Sequence, residues 1–205
     1  MEVLEAIMNR RSVRSFEDRR VDDETVGKLL TACKWAPSAG NRQPWEVIVV
    51  REDESIEKLA ELAMDQHWMT QAPVVLVMCI NEEMAEATYG ERGRELYAIQ
   101  STAAAVQNML IRATDLGLGT CWVGSFRDDE LSEFLECEDY IRPVAMIPVG
   151  YPEENPEPPR RDDITGFSYV EKFGRKYEDE WSGFKEFAKK TREKTRELID
   201  SLRKY

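Results

Sequence analysis

Near the N-terminus the run Arg10, Arg11, Ser12, Val13, Arg14, Ser15, Phe16 crowds guanidinium groups and hydroxyls together in a chain whose formal net charge is -12. A bound phosphate is the simplest reason for such a cluster, because the guanidinium fork matches phosphate oxygens. The competing account is a helix C-terminus decorated with cations, which the helix dipole favours. A second stretch, Pro37 to Trp45 (PSAGNRQPW), sets donors at Ser38, Asn41, Arg42 and Gln43 between prolines that stiffen the loop. It reads either as a surface turn or as a loop that presents backbone and amide groups to a heteroaromatic ring or a partner chain. A third, Gly117 to Ser125 (GLGTCWVGS), lacks the G-x-G-x-x-G spacing of a dinucleotide loop. Its Gly124 and Ser125 follow strand-like residues, where glycine would let backbone amides come close to a ligand. Arg160 and Arg161, set in a proline-rich segment, are solvated charges alone, but with the N-terminal arginines they would close a phosphate pocket.

These stretches must be positioned by regular elements. The opening MEVLEAIMN has Val3, Leu4, Ile7 and Met8 at helical spacing, an amphipathic helix rather than a signal peptide's apolar block. Asp22 or Asp23 caps a helix carrying Val26, Leu29, Leu30 and Cys33 on one face, which ends before Pro37. EVIVV before residue 51, Val74 to Ile80, and RPVAMIPVGYP read as strands, the second as a central strand covered on both faces. A helix runs from Glu54 to about Asp65, and a long alanine-rich one from Glu95 to Gly117. A shorter helix runs from Asp128 or Asp129 to Leu135. Residues 82–94 are polar and glycine-punctuated, a mobile connection or short helix. After Gly150 the composition turns proline-rich and charged, so the chain should lie extended. The tail is helical by pattern, with docking residues at Trp181, Phe184, Phe187, Leu198, Ile199 and Leu202.

Composition excludes several classes. The 205 residues, 42% hydrophobic and 33% charged, describe a globular protein with no apolar run long enough for a membrane span and no secretory signal, so the expected compartment is the cytoplasm. An acidic balance argues against nucleic-acid binding, which needs a basic face. Cys33, Cys79, Cys121 and Cys137 form no CxxC pair and His67 is the only histidine, so no metal site is expected, and buried free thiols are the favoured reading.

Taken in order, the four stretches resemble the FMN-dependent nitroreductase family. RRSVRSF is similar to its N-terminal phosphate and ribityl motif, and PSAGNRQPW to its PSxxNxQPW loop. QSTAAAVQNMLIRATDLGLGTCWVGSF and VGYPEENPEPPRR resemble its central helix, glycine segment and C-terminal strand. The resemblance implies an α+β fold, a mixed sheet flanked by helices, and an obligate homodimer with a swapped C-terminal segment and two FMN molecules at the dimer interface. It implies that Arg10, Arg11, Ser12 and Arg14 hold the phosphate, ribityl chain and pyrimidine edge. Pro37, Ser38, Ala39, Asn41 and Gln43 would come from the other subunit, and Gln66 would add a polar contact before the second strand. Gly124 and Ser125 would lie near the redox-active nitrogen, and Arg160 or Arg161 would complete the phosphate site. Arg14 and Gly124 are then the residues that tune the flavin.

The activity implied is ping-pong transfer from NADH or NADPH to nitroaromatics, quinones or similar small acceptors. A dehalogenase, a flavin-fragmenting enzyme, a dehydrogenase with another donor and a flavin redox sensor stand as alternatives. Relatives often carry an acidic residue near Ser101, and some a glutamate where Gly124 stands; these departures bear on the substrate. The flavin-binding domain is expected over residues 1–170 and a charged helical extension over 171–205.

Overall fold

The computed structural model describes residues 1–177 and 181–202. By internal contacts the chain divides into a first compact unit, Met1–Pro156, and a second that begins at Glu157.

The first unit is built on one apolar strand. Along β2 (Val74–Asn81) every residue but the last is buried, and successive side chains point to opposite faces. Val74, Leu76 and Met78 enter one core, with α2 (Asp23–Lys34) and α5 (Ala98–Asp115); Val75, Val77 and Cys79 enter the other, with α3 (Asp53–Leu62) and α6 (Asp128–Phe134). Alanines 105 and 113 on α5 keep that helix close to α2 and the sheet. α2 starts where Asp22 accepts the Thr25 backbone N–H at 2.6 Å, and that bond is the first cause holding the Asp22 carboxyl below its ordinary range.

The sheet order is β1-β2-β4-β3, with β1 at Trp45–Val50, β4 at Ile141–Gly150 and a short β3 at Gly119–Thr120. Each pairing between these strands is antiparallel, which corrects the mixed sheet implied by the resemblance; the parallel pairing among the described residues is an isolated bridge between Ser12 and Thr120. The reason lies in the connection. Val50 pairs with Val75, so α3 and the turn His67–Gln71 carry the chain out and return it to the end of the sheet it left. Length alone does not separate that excursion from a crossover.

Two further differences concern helices. Of the two readings of residues 82–94, mobile connection or short helix, the structure has the helix: α4 (Glu82–Arg92), bent at Gly90, passes through a π-helical turn, Gly93–Tyr97, into α5. In α1 (Val3–Asn9) only Ala6 is buried, while Val3, Leu4 and Ile7 are 70%, 58% and 46% exposed. Its apolar face is present as expected, but among the described residues Val3, Leu4 and Ile7 stay exposed.

In the second unit, α7 (Ile164–Phe167) is capped by Asp163, and α8 spans Ser182–Leu202. Arg192 of α8 binds Asp163 at 2.6 Å, and Tyr177 stacks on Phe184 with ring centroids 4.3 Å apart. The side chains of Leu198, Ile199 and Leu202 lie outside the described residues. Among the described residues no helix is long and apolar enough to cross a membrane.

Candidate functional site

The Arg10–Phe16 segment leaves α1 and runs along the edge of the sheet. Val13 N–H donates to the Thr120 carbonyl at 2.9 Å, and Glu17 N–H donates to the Tyr151 carbonyl at 2.9 Å, so the segment joins β3 at one end and the residues after β4 at the other. Val13 points inward and is buried, which leaves Ser12 and Arg14 on the exposed side, the alternation of an extended strand. Two glycines allow this approach. A Cβ on Gly119 would lie 2.9 Å from Val13, and one on Gly150 would lie 2.8 Å from the Phe16 ring.

The arginines divide in behaviour. Arg11 turns back, its Nη1 donating to the carbonyls of Met8 at 2.6 Å and Arg10 at 2.9 Å, so it closes the C-terminus of α1 as helix-end cations commonly do. Arg14 is exposed and lies 5.8 Å from the Trp68 ring centroid. Among the described residues neither Arg10 nor Arg14 enters a salt bridge. Their charge is therefore available to an anion in a unit that is otherwise rich in carboxylates.

Behind this strand lies the glycine segment. The Ser12 hydroxyl and the charges of Arg14, Arg10 and Glu154 act on the Cys121 thiol. Burial pushes this thiol above its ordinary pKa, with the Arg14 charge and the Ser12 hydroxyl pulling the other way, so it stays protonated at neutral pH. Past Val123, which bridges to Met146, Gly124 and Ser125 are exposed. A Cβ on Gly124 would meet only Trp122, at 3.7 Å, an ordinary contact. Among the described residues nothing demands glycine there, whereas Gly119 and Gly150 are demanded by packing.

Gln66 sits where α3 ends. Its Nε2 donates to the Ala63 carbonyl at 2.8 Å, and the two residues before it, Met64 and Asp65, both have φ of 59°. The following turn brings Trp68 to Arg14 and Gln71 to Ser15 and Phe16.

The loop Pro37–Gln43 lies elsewhere. Ala39 N–H donates to Ser101 Oγ at 3.3 Å, Ser101 donates to the Tyr97 carbonyl at 2.6 Å, and Gly40 abuts the Tyr89 hydroxyl. Asn41 and Gln43 hold φ of 55° and 52°, the left-handed region. Asparagine tolerates that region, but glutamine does so rarely, at a cost on the order of 1–3 kcal/mol. Ser38 Oγ accepts the Gln43 N–H at 2.9 Å, and Gln43 Nε2 reaches the Asn41 carbonyl at 3.2 Å, so local bonds sustain the geometry.

Arg10, Ser12 and Arg14 share the edge segment, Gly124 and Ser125 are exposed farther along the glycine segment that Ser12 and Val13 meet at Thr120, and Gln66 lies two residues before Trp68. Pro37, Ser38, Ala39, Asn41 and Gln43 form a separate group, with hydrogen bonds that run within the loop and to Ser101. Arg160 and Arg161 are exposed in the second unit. Sequence reasoning missed Trp68, Gln71, Glu153 and Glu154. Glu153 Oε2 accepts from Ser15 Oγ at 2.9 Å, and Glu154 Oε1 accepts the backbone N–H groups of Arg14 and Ser15. Both glutamates occupy a stretch that reads as solvated charge, and no local pattern marks them.

The sequence profile described as the nitroreductase family matches residues 7–68 and 63–151. Over 160 residues the chain is 36% identical to a Methanothermobacter thermautotrophicus protein with the provisional name NADH dehydrogenase/NAD(P)H nitroreductase, covering 76% of this chain and 80% of that one. It is 32% identical over 166 residues to the FMN reductase [NAD(P)H] of Bacillus subtilis, covering 75% of this chain and 67% of the relative. Among solved structures, a nitroreductase family protein from Clostridium difficile 630 superposes with a TM-score of 0.75 at 30% identity, covering 84% of this chain and 100% of that one.

Proposed function

The chain belongs to the nitroreductase family, and from that premise we propose that it is an FMN-dependent NAD(P)H oxidoreductase. Its acceptors would be nitroaromatics, quinones or related small molecules, reduced by ping-pong hydride transfer. The observation that carries the reading is the edge strand that exposes Ser12 and Arg14, together with an exposed Gly124 whose described neighbours do not require its small size. This donor set fits a phosphorylated flavin: cations and a hydroxyl for the phosphate, and an open glycine backbone for a flat ring.

Bound FMN would supply the ring that takes a hydride from the nicotinamide and gives it to the acceptor. The chain's residues would hold and tune it. Arg10 and Ser12 would bind the phosphate and ribityl hydroxyls, with Arg160 or Arg161 closing the phosphate from the segment after β4. Arg11, turned back on α1, would order the start of the strand. Arg14 would place positive charge at the pyrimidine edge, where charge develops on reduction. Gly124 and Ser125 would present backbone donors, and Gln66 would add a polar contact.

The loop of Pro37, Ser38, Ala39, Asn41 and Gln43 would complete the site from a second copy. Its separation from the arginine strand supports a shared site, and the exposed Val3, Leu4 and Ile7 of α1 offer apolar surface for a homodimer. Residues 1–170 would then form the flavin domain, with its last part exchanged between copies, and 171–205 a helical extension.

The test is spectroscopic. Purified protein should be yellow, and NADH or NADPH should bleach it under anaerobic conditions, with colour restored by menadione. A colourless protein that fails to retain added FMN would sink the proposal.

A further inference from the structure

The edge strand changes partners partway along its length. Val13 N–H finds the Thr120 carbonyl and Glu17 N–H finds the Tyr151 carbonyl, but among the described residues no backbone carbonyl accepts the amides between them. Side chains fill this gap in the ladder: Glu154 Oε1 accepts Arg14 N–H at 2.5 Å and Ser15 N–H at 3.2 Å, and Gln71 Oε1 accepts Phe16 N–H at 3.3 Å. Amides that would otherwise lack partners converge on a carboxylate that lies 140 residues from Arg14 in sequence. Glu153 reinforces the contact, its N–H donating to the Ser15 carbonyl at 3.0 Å and its carboxylate accepting from Ser15 Oγ.

Arg14 itself is exposed, and its guanidinium lies 5.8 Å from the centroid of the Trp68 ring, a loose contact. The backbone that carries it therefore fixes where this side chain leaves the strand. Resting on the flavin reading above, we propose that Glu154 is a positioning residue: its carboxylate fixes the Arg14–Ser15 backbone and so aims the Arg14 guanidinium at the flavin. Glu154 acts through hydrogen bonds rather than through its charge. A glutamine at this position keeps an acceptor oxygen, and an alanine does not.

The experiment compares E154A, E154Q, R14A and the double variant R14A/E154A as full chains. In E154A the rate of anaerobic flavin reduction by the effective nicotinamide should fall about tenfold, as in R14A, with FMN affinity changed less than about threefold. E154Q should keep the rate within about threefold of the parent, and the double variant should be no slower than R14A. Amide exchange at residues 14 and 15 should quicken in E154A and not in E154Q, with or without FMN. The proposal is overturned if E154Q falls as far as E154A, if the two rate losses multiply in the double variant, or if exchange at these amides is unchanged in E154A. Failure of the parent protein to bind FMN would instead overturn the flavin reading, and the role of Glu154 would fall with it.

Discussion

Alanine at Gly150 and alanine at Gly124 should have opposite consequences, and the structure gives the size of the difference. A Cβ at position 150 would lie 2.8 Å from Phe16 Cδ1 and 3.0 Å from Pro73 Cδ. Neither neighbour yields easily: one is a pyrrolidine ring, and the other is an aromatic ring only 4% exposed. Inserting a methyl into such a site costs about 1–3 kcal/mol, and for a chain of this size each kcal/mol lowers Tm by roughly 2–4 °C. Gly150→Ala should therefore melt about 2–12 °C below the parent. Because Phe16 bridges to Pro152, the displacement should reach the arginine strand and weaken FMN binding as well. At position 124 the added methyl meets only Trp122, at 3.7 Å or beyond, so the FMN-free protein should change by less than about 0.5 kcal/mol. Any effect of Gly124→Ala should appear only when ligand is present. Urea unfolding of FMN-free protein, followed by FMN titration, measures both. An unchanged midpoint for Gly150→Ala, or a destabilised FMN-free Gly124→Ala, would refute the steric reasoning.

Other outcomes follow from the same site. Arg14→Ala should slow flavin reduction more than it weakens FMN binding; complete loss of FMN with normal rates in excess FMN would reverse that assignment. If the site is shared between copies, Arg14→Ala and Gln43→Ala proteins mixed under exchange conditions should recover activity, since about a quarter of sites regain both residues; no recovery points to a site within one chain. The Asp163 carboxyl is lowered to about 2, first by its bond to Arg192 and then by Thr165, so its contribution is present above its ordinary value near 3.8 and is lost as pH falls through about 2. NMR titration should show this, and Arg192→Ala should return the group towards its ordinary range. Burial pushes Cys79 up to about 12 and Cys33 to about 11, whereas Cys137 is only partly buried, so alkylation of native protein should label Cys137 first; mass spectrometry of the digest reports the order.

Much of the fold was legible in the chain because it rests on local periodicity. The all-buried run of β2, the Asp22 cap and the one-sided apolar pattern of α2 each carry their structural reason within a few residues. The bend of α4 at Gly90 and the π-helical turn were not legible. Gly93 sits there because a Cβ would strike the Ala85 carbonyl, a contact that exists only once the turn has formed. Strand direction was equally hidden, since an excursion through α3 can return to either end of a sheet.

For the candidate site, the guanidinium cluster by itself pointed to a phosphate, and the flavin was implied by the resemblance of the four ordered stretches to the nitroreductase family. What the sequence could not say is which groups act on the ligand and which on the fold. Arg11 and Arg14 belong to the same short motif, yet one closes a helix and the other faces outward. Gly119 and Gly150 make room for Val13 and Phe16, while Gly124 makes room for nothing among the described residues. Glu154 reads as one charge among many, and only the folding of the segment after β4 onto the arginine strand turns it into a hydrogen-bond acceptor. Local chemistry is written residue by residue, but partners distant along the chain are chosen by how strands and helices close around the core.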